Sequence, residues 1–236
     1  MADNAITLSI VSHGQNTLVN QLLEDVERHC KGHVESIVTQ NIDDAAPLAR
    51  ATSTVRNITR KGFGANHNAA FQHCSTPYYC VCNPDIRLES DPFPALLAAL
   101  RNEDAAVAGP LVRSPLGALE DSARHFPTAA RLLRKALSPP AGPEYPTDRG
   151  AVVVDWVAGM FMLFRSEAYR EIGGFDEAYF LYYEDVDICR RLHAAGRRVI
   201  YEPRSVVIHD AQRASRRNAA LALQHARSGL RYLLTR

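Results

Sequence analysis

Short apolar, β-branched runs alternate with helix-patterned segments through the first hundred residues, and this alternation limits the possible folds more than any other feature of the chain. Ile6 to Val11 is one such run, ending in Ser12-His13-Gly14. Leu18, Leu22, Leu23 and Val26 follow at helical spacing. Val34 to Gln40 predicts a second strand, ending at Asn41, and Val55 to Asn57 a third. Lys61-Gly62-Phe63-Gly64-Ala65-Asn66 then opens a helix through Ala69, Ala70 and Phe71. Tyr78 to Cys82 predicts a fourth strand, stopped by Asn83-Pro84-Asp85; Pro92 to Leu100 reads as a helix and Ala105 to Ala108 as a further strand. Strands separated by helices imply βαβ units, hence an α/β fold with a mostly parallel central sheet flanked by helices. Such sheets bind ligands beyond the carboxyl ends of their strands, where Ser12, Asn41, Asn83 and Asp85 fall.

The second half is organised differently. Residues 114–150 hold many prolines and a basic patch, Arg131, Arg134 and Lys135, and read as a long irregular excursion with one short helix. Loops of this length in a domain are commonly lids or binding loops. Val152 to Phe164 is apolar again, a helix follows near Glu167 to Ile172, and Gly173-Gly174 ends it. Val186 to Ala195 predicts a helix closed by Gly196, with strands at Val199 to Tyr201 and Val206 to Ile208. With 236 residues, 46% of them hydrophobic, the expectation is one domain in two halves, about 1–110 and 111–212, followed by a basic C-terminal helix at 213–236.

Several function classes are disfavoured. The net charge of +1 leaves no nucleic-acid footprint, although Arg213 to Arg236 carries six arginines and no acid. The five cysteines lack framework spacing and read as reduced, packed thiols. No signal peptide or apolar run of about 20 residues occurs, so the expected location is cytoplasmic. No Gly-x-Ser-x-Gly elbow, His-Glu-x-x-His helix or paired Cys-x-x-Cys pattern is found.

Chemistry concentrates in residues 175–187, where Phe180, Tyr182 and Tyr183 run into Glu184, Asp185 and Asp187. A carboxylate set against apolar surface is a candidate general base. Acids also favour the first turn of a helix, where the macrodipole stabilises them, so a purely structural role is open. Asn83-Pro84-Asp85 is a good turn as well as a candidate cation site, since oxygen ligands suit Mg²⁺ or Mn²⁺. The Gly62–Asn66 turn is a weak phosphate signal, for which a loop with an Asn cap is the simpler reading. His209, ending Val206-Val207-Ile208, is more often a structural residue than a ligand unless the fold brings it near Asp85.

Taken in order, Ile10-Val11-Ser12-His13, Lys61-Gly62-Phe63-Gly64-Ala65-Asn66, Asn83-Pro84-Asp85, Trp156-Val157-Ala158-Gly159-Met160, Gly173-Gly174-Phe175-Asp176-Glu177, Glu184-Asp185-Val186-Asp187 and Val207-Ile208-His209 resemble glycosyltransferase family 2, in particular its rhamnosyltransferase-like members from bacterial surface-polysaccharide pathways. The resemblance covers most of residues 6–210 and implies a GT-A fold, inversion at the sugar carbon and a nucleotide-diphosphate-sugar donor, with dTDP-rhamnose and UDP-sugars as options. It also implies a nucleotide-sugar-binding role for the first half, about 1–110, and an acceptor-binding, catalytic role for the second, about 111–212. By this resemblance Asp85 matches the metal-binding acid of an Asp-x-Asp motif, with Asn83 in place of its first acid, and His209 matches a position that ligates the metal in some relatives. Asp185 matches the catalytic base. Ser12 and Asn41 fall at nucleotide-binding strand ends; Asn41 replaces the usual Asp, which leaves the base preference open. Gly64 and Asn66 belong to the donor side. Trp156, Gly159 and Glu184 belong to the acceptor side. The Gln-x-x-Arg-Trp of processive synthases is absent, so transfer of a single sugar to a saccharide or lipid-linked saccharide is expected.

Two rivals stand beside this reading. One is a non-catalytic nucleotide-sugar-binding module on the same fold, which retention of Asp85, Asp185 and His209 disfavours. The other is a nucleotidyltransferase, but Ser12-His13-Gly14-Gln15 lacks the basic residue expected in its first loop. The basic tail is either a packed helix with a solvated face or a peripheral contact with the inner face of the cytoplasmic membrane.

Overall fold

The computed structural model describes residues 5–30, 32–137, 142–210 and 219–235. Twelve strands and seven helices occur among them, in the order β1 (Ile6–His13), α1 (Asn16–His29), β2 (Val34–Ile42), β3 (Ser53–Arg56), α2 (Phe63–Phe71), β4 (Tyr78–Cys82), β5 (Ile86–Arg87), α3 (Phe93–Ala99), β6 (Ala105–Arg113), β7 (Leu119–Glu120), β8 (Ala123–Arg124), α4 (Ala129–Leu137), β9 (Val152–Val154), β10 (Trp156–Val157), β11 (Phe161–Arg165), α5 (Ser166–Glu171), α6 (Glu184–Ala194), β12 (Arg198–His209) and α7 (Ala219–Leu234). The main sheet runs β3-β2-β1-β4-β11-β6-β12-β5, with β7 on β6 and β9 on β12. β1 pairs parallel with β2 and β4, β2 with β3, and β6 with β12, while β11 lies antiparallel between β4 and β6.

Strand alternation sorts the core into two layers. On β4, Cys80 and Cys82 enter one buried cluster and Tyr79 and Val81 the other. On β11, Phe161 and Leu163 face the first cluster, Met162 and Phe164 the second. Because both faces are covered, these strands read as continuous apolar runs rather than alternating ones. Val19, Leu22, Leu23 and Val26 of α1, with Phe93 and Leu96 of α3, close the first layer. Phe71 of α2, Tyr169 of α5 and Val186, Ile188, Cys189 and Leu192 of α6 close the second. All five cysteines are free thiols.

The second half departs from the sequence pattern in three places. The apolar stretch 152–164 divides among three ladders: β9 pairs with β12, β10 with β8, and β11 with β4 and β6. The two short strands expected at 199–201 and 206–208 are one strand, β12, whose pairing with β6 slips between Glu202 and Val206, where Pro203 has no N–H to donate. Helix α6 begins at Glu184, so the acids occupy its first turn. The excursion at 114–150 contributes β7, β8 and α4. The expected C-terminal helix is α7; Arg213, Arg216, Arg217 and Arg236 lie outside the described residues. Its Arg231 is already engaged, pairing with Asp176 at 3.1 Å and covering the Tyr179 ring. No helix among the described residues is long and apolar enough to cross a membrane.

Candidate active site

The two-residue strand β5 does the first piece of assembly. It turns back from β4 and pairs antiparallel with the end of β12, His209 opposite Ile86. This register sets His209 Nε2 3.3 Å from Asp85 Oδ2. On its other side His209 Nδ1 lies 2.6 Å from Glu120 Oε2, because β7 pairs with β6 and β6 pairs with β12. Burial opposes charging His209, but hydrogen bonds to Asp85 and Glu120 outweigh it and push the imidazole up to about 9. The other Asp85 oxygen, Oδ1, is buried without a hydrogen-bond partner. An orphaned carboxylate oxygen beside an imidazole is the chemistry of a cation site with unfilled valence.

The second piece is the start of α6. Asp185 Oδ2 accepts the Gly159 N–H at 2.9 Å and Oδ1 accepts the Val186 N–H at 2.9 Å. Burial raises the Asp185 carboxyl, while those N–H groups and Arg124 oppose the rise. Glu184 is pushed up to about 8 by burial and by the charge of Asp185, and its Oε2 has no partner. Asp187 is excluded from the chemistry: it is buried in ion pairs with Arg190 at 2.8 Å and Arg191 at 2.7 Å. Arg191 in turn donates to the carbonyls of Ile172 and Gly174, tying the diglycine turn under the helix.

The helix is entered through strained backbone. Tyr182 and Tyr183 have φ of 70° and 69°, a left-handed pair that side-chain-bearing residues rarely adopt. Helix α7 holds them: Ser228 Oγ donates to the Leu181 carbonyl at 2.8 Å, and the His225 ring stands 5.1 and 5.2 Å from the two tyrosine rings. Gly229 lets α7 approach, since a Cβ there would lie 3.1 Å from the Tyr183 ring.

Both pieces open onto one cleft of about 1390 Å³. Of the residues expected from sequence, Asn83, Asp85, Trp156, Gly159, Glu184 and Asp185 line it. His209 stands behind Asp85. Ser12, Asn41, Gly64 and Asn66 are buried behind this lining, with the Asn41 amide beside the His13 ring. Ser12 Oγ donates to Asn16 Oδ1; Asn41 and Asn66 share Asn57 and the Lys61 carbonyl. A Cβ on Gly64 would meet Phe175 at 2.6 Å, so that glycine serves the packing of α2. Asn41 and Asn66, with Asn57, brace the 57–64 loop.

Sequence reasoning missed other lining residues. His13, Arg60 and His67 line the Asp85 side of the cleft. Burial and then Arg60 hold His13 below its ordinary value; burial and then His13 drop His67 to about 3, so it is neutral. Arg124 stands opposite Trp156 in the β8–β10 ladder and covers its ring at 5.6 Å. His125, Arg131, Arg134 and Glu144 continue the wall. The basic patch at 131–135 was visible in sequence, but nothing there pointed it at the cleft.

An α/β sheet of this order, with a cleft that takes in Asp85 at a strand end and Asp185 at a helix start, is the GT-A fold of glycosyltransferases. The chain belongs to the glycosyltransferase-like family 2, whose model matches residues 4–229. It is 30% identical over 244 residues to the rhamnosyltransferase WbbL of Escherichia coli K12, covering 97% of this chain and 92% of that protein. It is 35% identical over 195 residues to an N-acetylglucosaminyl-diphospho-decaprenol L-rhamnosyltransferase of Mycobacterium tuberculosis, covering 76% of this chain and 62% of that protein. Among solved structures, GalNAc-T7 with UDP, GalNAc and Mn²⁺ superposes with a TM-score of 0.69 at 14% identity, covering 94% of this chain and 47% of that one. The Pyrobaculum calidifontis mannosyltransferase PcManGT with GDP-Man and Mn²⁺ gives 0.65 at 15% identity, covering 96% and 64%. At these identities the structural likeness establishes the fold alone.

Proposed function

We propose that this glycosyltransferase moves one sugar, with inversion, from a nucleotide-diphosphate sugar to a hydroxyl of a lipid-linked saccharide. The observation that carries the reading is the single cleft that receives both Asp85, backed by His209, and Asp185. Two relatives are rhamnosyltransferases, which favours dTDP-rhamnose over a UDP-sugar as donor.

Asp85 and His209 fit a divalent ion, Mg²⁺ or Mn²⁺: one hard oxygen without a partner, one imidazole, and room for phosphate oxygens. Bound there, such an ion supplies charge stabilisation to the departing diphosphate. The chain's own groups do the rest. Burial raises both carboxyls, and the charge of Asp185 adds to the rise at Glu184. Two N–H groups favour the charged form of Asp185, whereas Oε2 of Glu184 has no donor. Asp185 is therefore the base that takes the acceptor proton. Trp156 and Gly159 line the cleft on the acceptor side, and the Gly159 N–H holds the Asp185 carboxylate in place.

The acceptor's bilayer is reached from α7, where Leu223, Leu230 and Leu234 are exposed on the helix that carries Arg227. Co-sedimentation of full-length and tail-truncated chain with anionic liposomes tests this contact; equal pelleting refutes it. For the chemistry, Asp185→Asn keeps shape and removes the base, and is expected to cost roughly 10²–10⁴-fold in kcat with donor affinity unchanged. Near-normal turnover in that variant would overturn the assignment.

A further inference from the structure

The cleft is larger than a single small ligand needs. Pockets for one such ligand run to roughly 300–1,000 Å³, against about 1390 Å³ here. Past Trp156 its wall passes through β8 into α4, and the character of the lining changes. Helix α4, Ala-Ala-Arg-Leu-Leu-Arg-Lys-Ala-Leu, has no acid. Its Arg131 and Arg134 line the cleft together with Leu132, and Leu221 of α7 joins them.

Arg131 is half-buried and Arg134 exposed, and neither pairs with a carboxylate among the described residues. Most other half-buried arginines on the chain are paired: Arg87 with Asp25, Arg124 with Asp121, and Arg190 and Arg191 with Asp187. Sheltering a guanidinium from water without a counter-charge is costly, and that applies to Arg131. Two guanidiniums left without a counter-charge on the wall of a binding cleft are matched to an anion that arrives from outside.

We infer that Arg131 and Arg134 bind the diphosphate of a diphosphate-linked lipid that carries the acceptor sugar. This rests on the transferase reading above and adds the recognition element for its acceptor. Residues three apart lie on one helix face with Cβ atoms about 5–6 Å from each other, so the two guanidiniums address neighbouring phosphates. Guanidinium forks bind phosphate oxygens bidentately, which an ammonium does not. Leu132 and Leu221 receive the first part of the lipid, and the exposed Leu137 of α4 and Leu223 of α7 continue the apolar path outward. The order along the cleft is then base, sugar platform, diphosphate grip, lipid exit.

The test uses the full-length chain with saturating dTDP and Mn²⁺, so that the donor side is filled, and farnesyl diphosphate, farnesol and inorganic pyrophosphate as probes in calorimetry. Farnesyl diphosphate is expected to bind most tightly. With the charge-assisted hydrogen bonds of two guanidiniums lost, the R131Q/R134Q double variant should bind it roughly 10²–10⁴-fold more weakly. The R131K/R134K variant, which keeps charge and loses the fork, should fall between. The thermal melts of both variants should match that of the unaltered chain, which separates loss of a ligand contact from loss of the fold. Equal affinity of the glutamine variant for farnesyl diphosphate overturns the inference, as does farnesol binding as tightly or a parallel loss of thermal stability. A chain that binds dTDP and hydrolyses donor but ignores farnesyl diphosphate loses this inference and keeps the transferase reading; one that does neither loses both.

Discussion

Glu184 and Asp185 are adjacent acids with opposite roles, and the difference lies in which atoms reach them. Asp185 collects two N–H donors, while Glu184 has a carboxylate oxygen with none. The consequence for stability has a definite sign. In the unfolded chain Glu184 gives up its proton near 4.5, in the folded chain near 8. Between those pH values the folded state holds the extra proton, so this residue makes stability fall as pH rises. Glu184→Gln removes the dependence, because an amide does not titrate. The melting temperature of the variant minus that of the unaltered chain should therefore climb from about pH 4.5 to about pH 8, with most of the gain above the lower value. A pH-independent difference in thermal melts would show that Glu184 is charged in the fold. Neighbouring Asp187 marks what residue type alone conveys: in sequence it is indistinguishable from its partners, and only the two arginines one turn along the helix make it structural.

At the scale of elements, legibility followed the ladders. β1, β4 and α1 were readable because apolar, β-branched runs mark the strands and an apolar stripe at helical spacing marks the helix, whatever their partners. The stretch 152–164 was not, since its three strands pair with β12, β8 and the β4–β6 gap, partners that local pattern does not encode. The same limit applies to the site. Strand ends were placed well enough to nominate Ser12 and Asn41, but position at a strand end does not say whether a side chain turns outward or into its own loop. The strained entry to α6 was invisible too, because tyrosine gives no hint of φ near 70°. Its dependence on α7 is testable at Gly229. Leucine there would drive into the Tyr183 ring, and overpacking of this kind costs about 1–3 kcal/mol. Gly229→Leu should lower the denaturant midpoint accordingly and reduce kcat more than it weakens nucleotide binding, because the distortion falls on the helix that holds Asp185. A variant with lower stability and unchanged kcat would mean that α7 packs against the loop without setting the base.

The molecule as a whole brings Asp85 and His209 together from distant parts of the chain through one two-residue strand, and the metal site proposed there has only these two side chains. Among the described residues no group of three or more His, Cys, Asp or Glu side chains is placed to hold a metal. Mg²⁺ takes six ligands in near-octahedral geometry and usually shares substrate phosphates. A site with one carboxylate and one imidazole is therefore a weak ion binder alone, and a good one only when the donor's diphosphate completes it. Coupling of this kind is reciprocal: whatever factor the nucleotide adds to Mn²⁺ affinity, Mn²⁺ adds to nucleotide affinity. His209 sharpens the point, since its Nε2 must shed a proton held up to about 9 by Asp85 and Glu120 before it can ligate. The expected outcome is that dTDP with Mn²⁺ raises thermal stability well beyond the sum of the two added separately. A ligand at 100 times its dissociation constant contributes about 2.7 kcal/mol. The excess should vanish in Asp85→Ala and on chelation, shrink in His209→Ala, and grow between about pH 6 and pH 9 as the imidazole loses its proton. Additive shifts from nucleotide and ion in the unaltered chain would show that the two do not meet at Asp85.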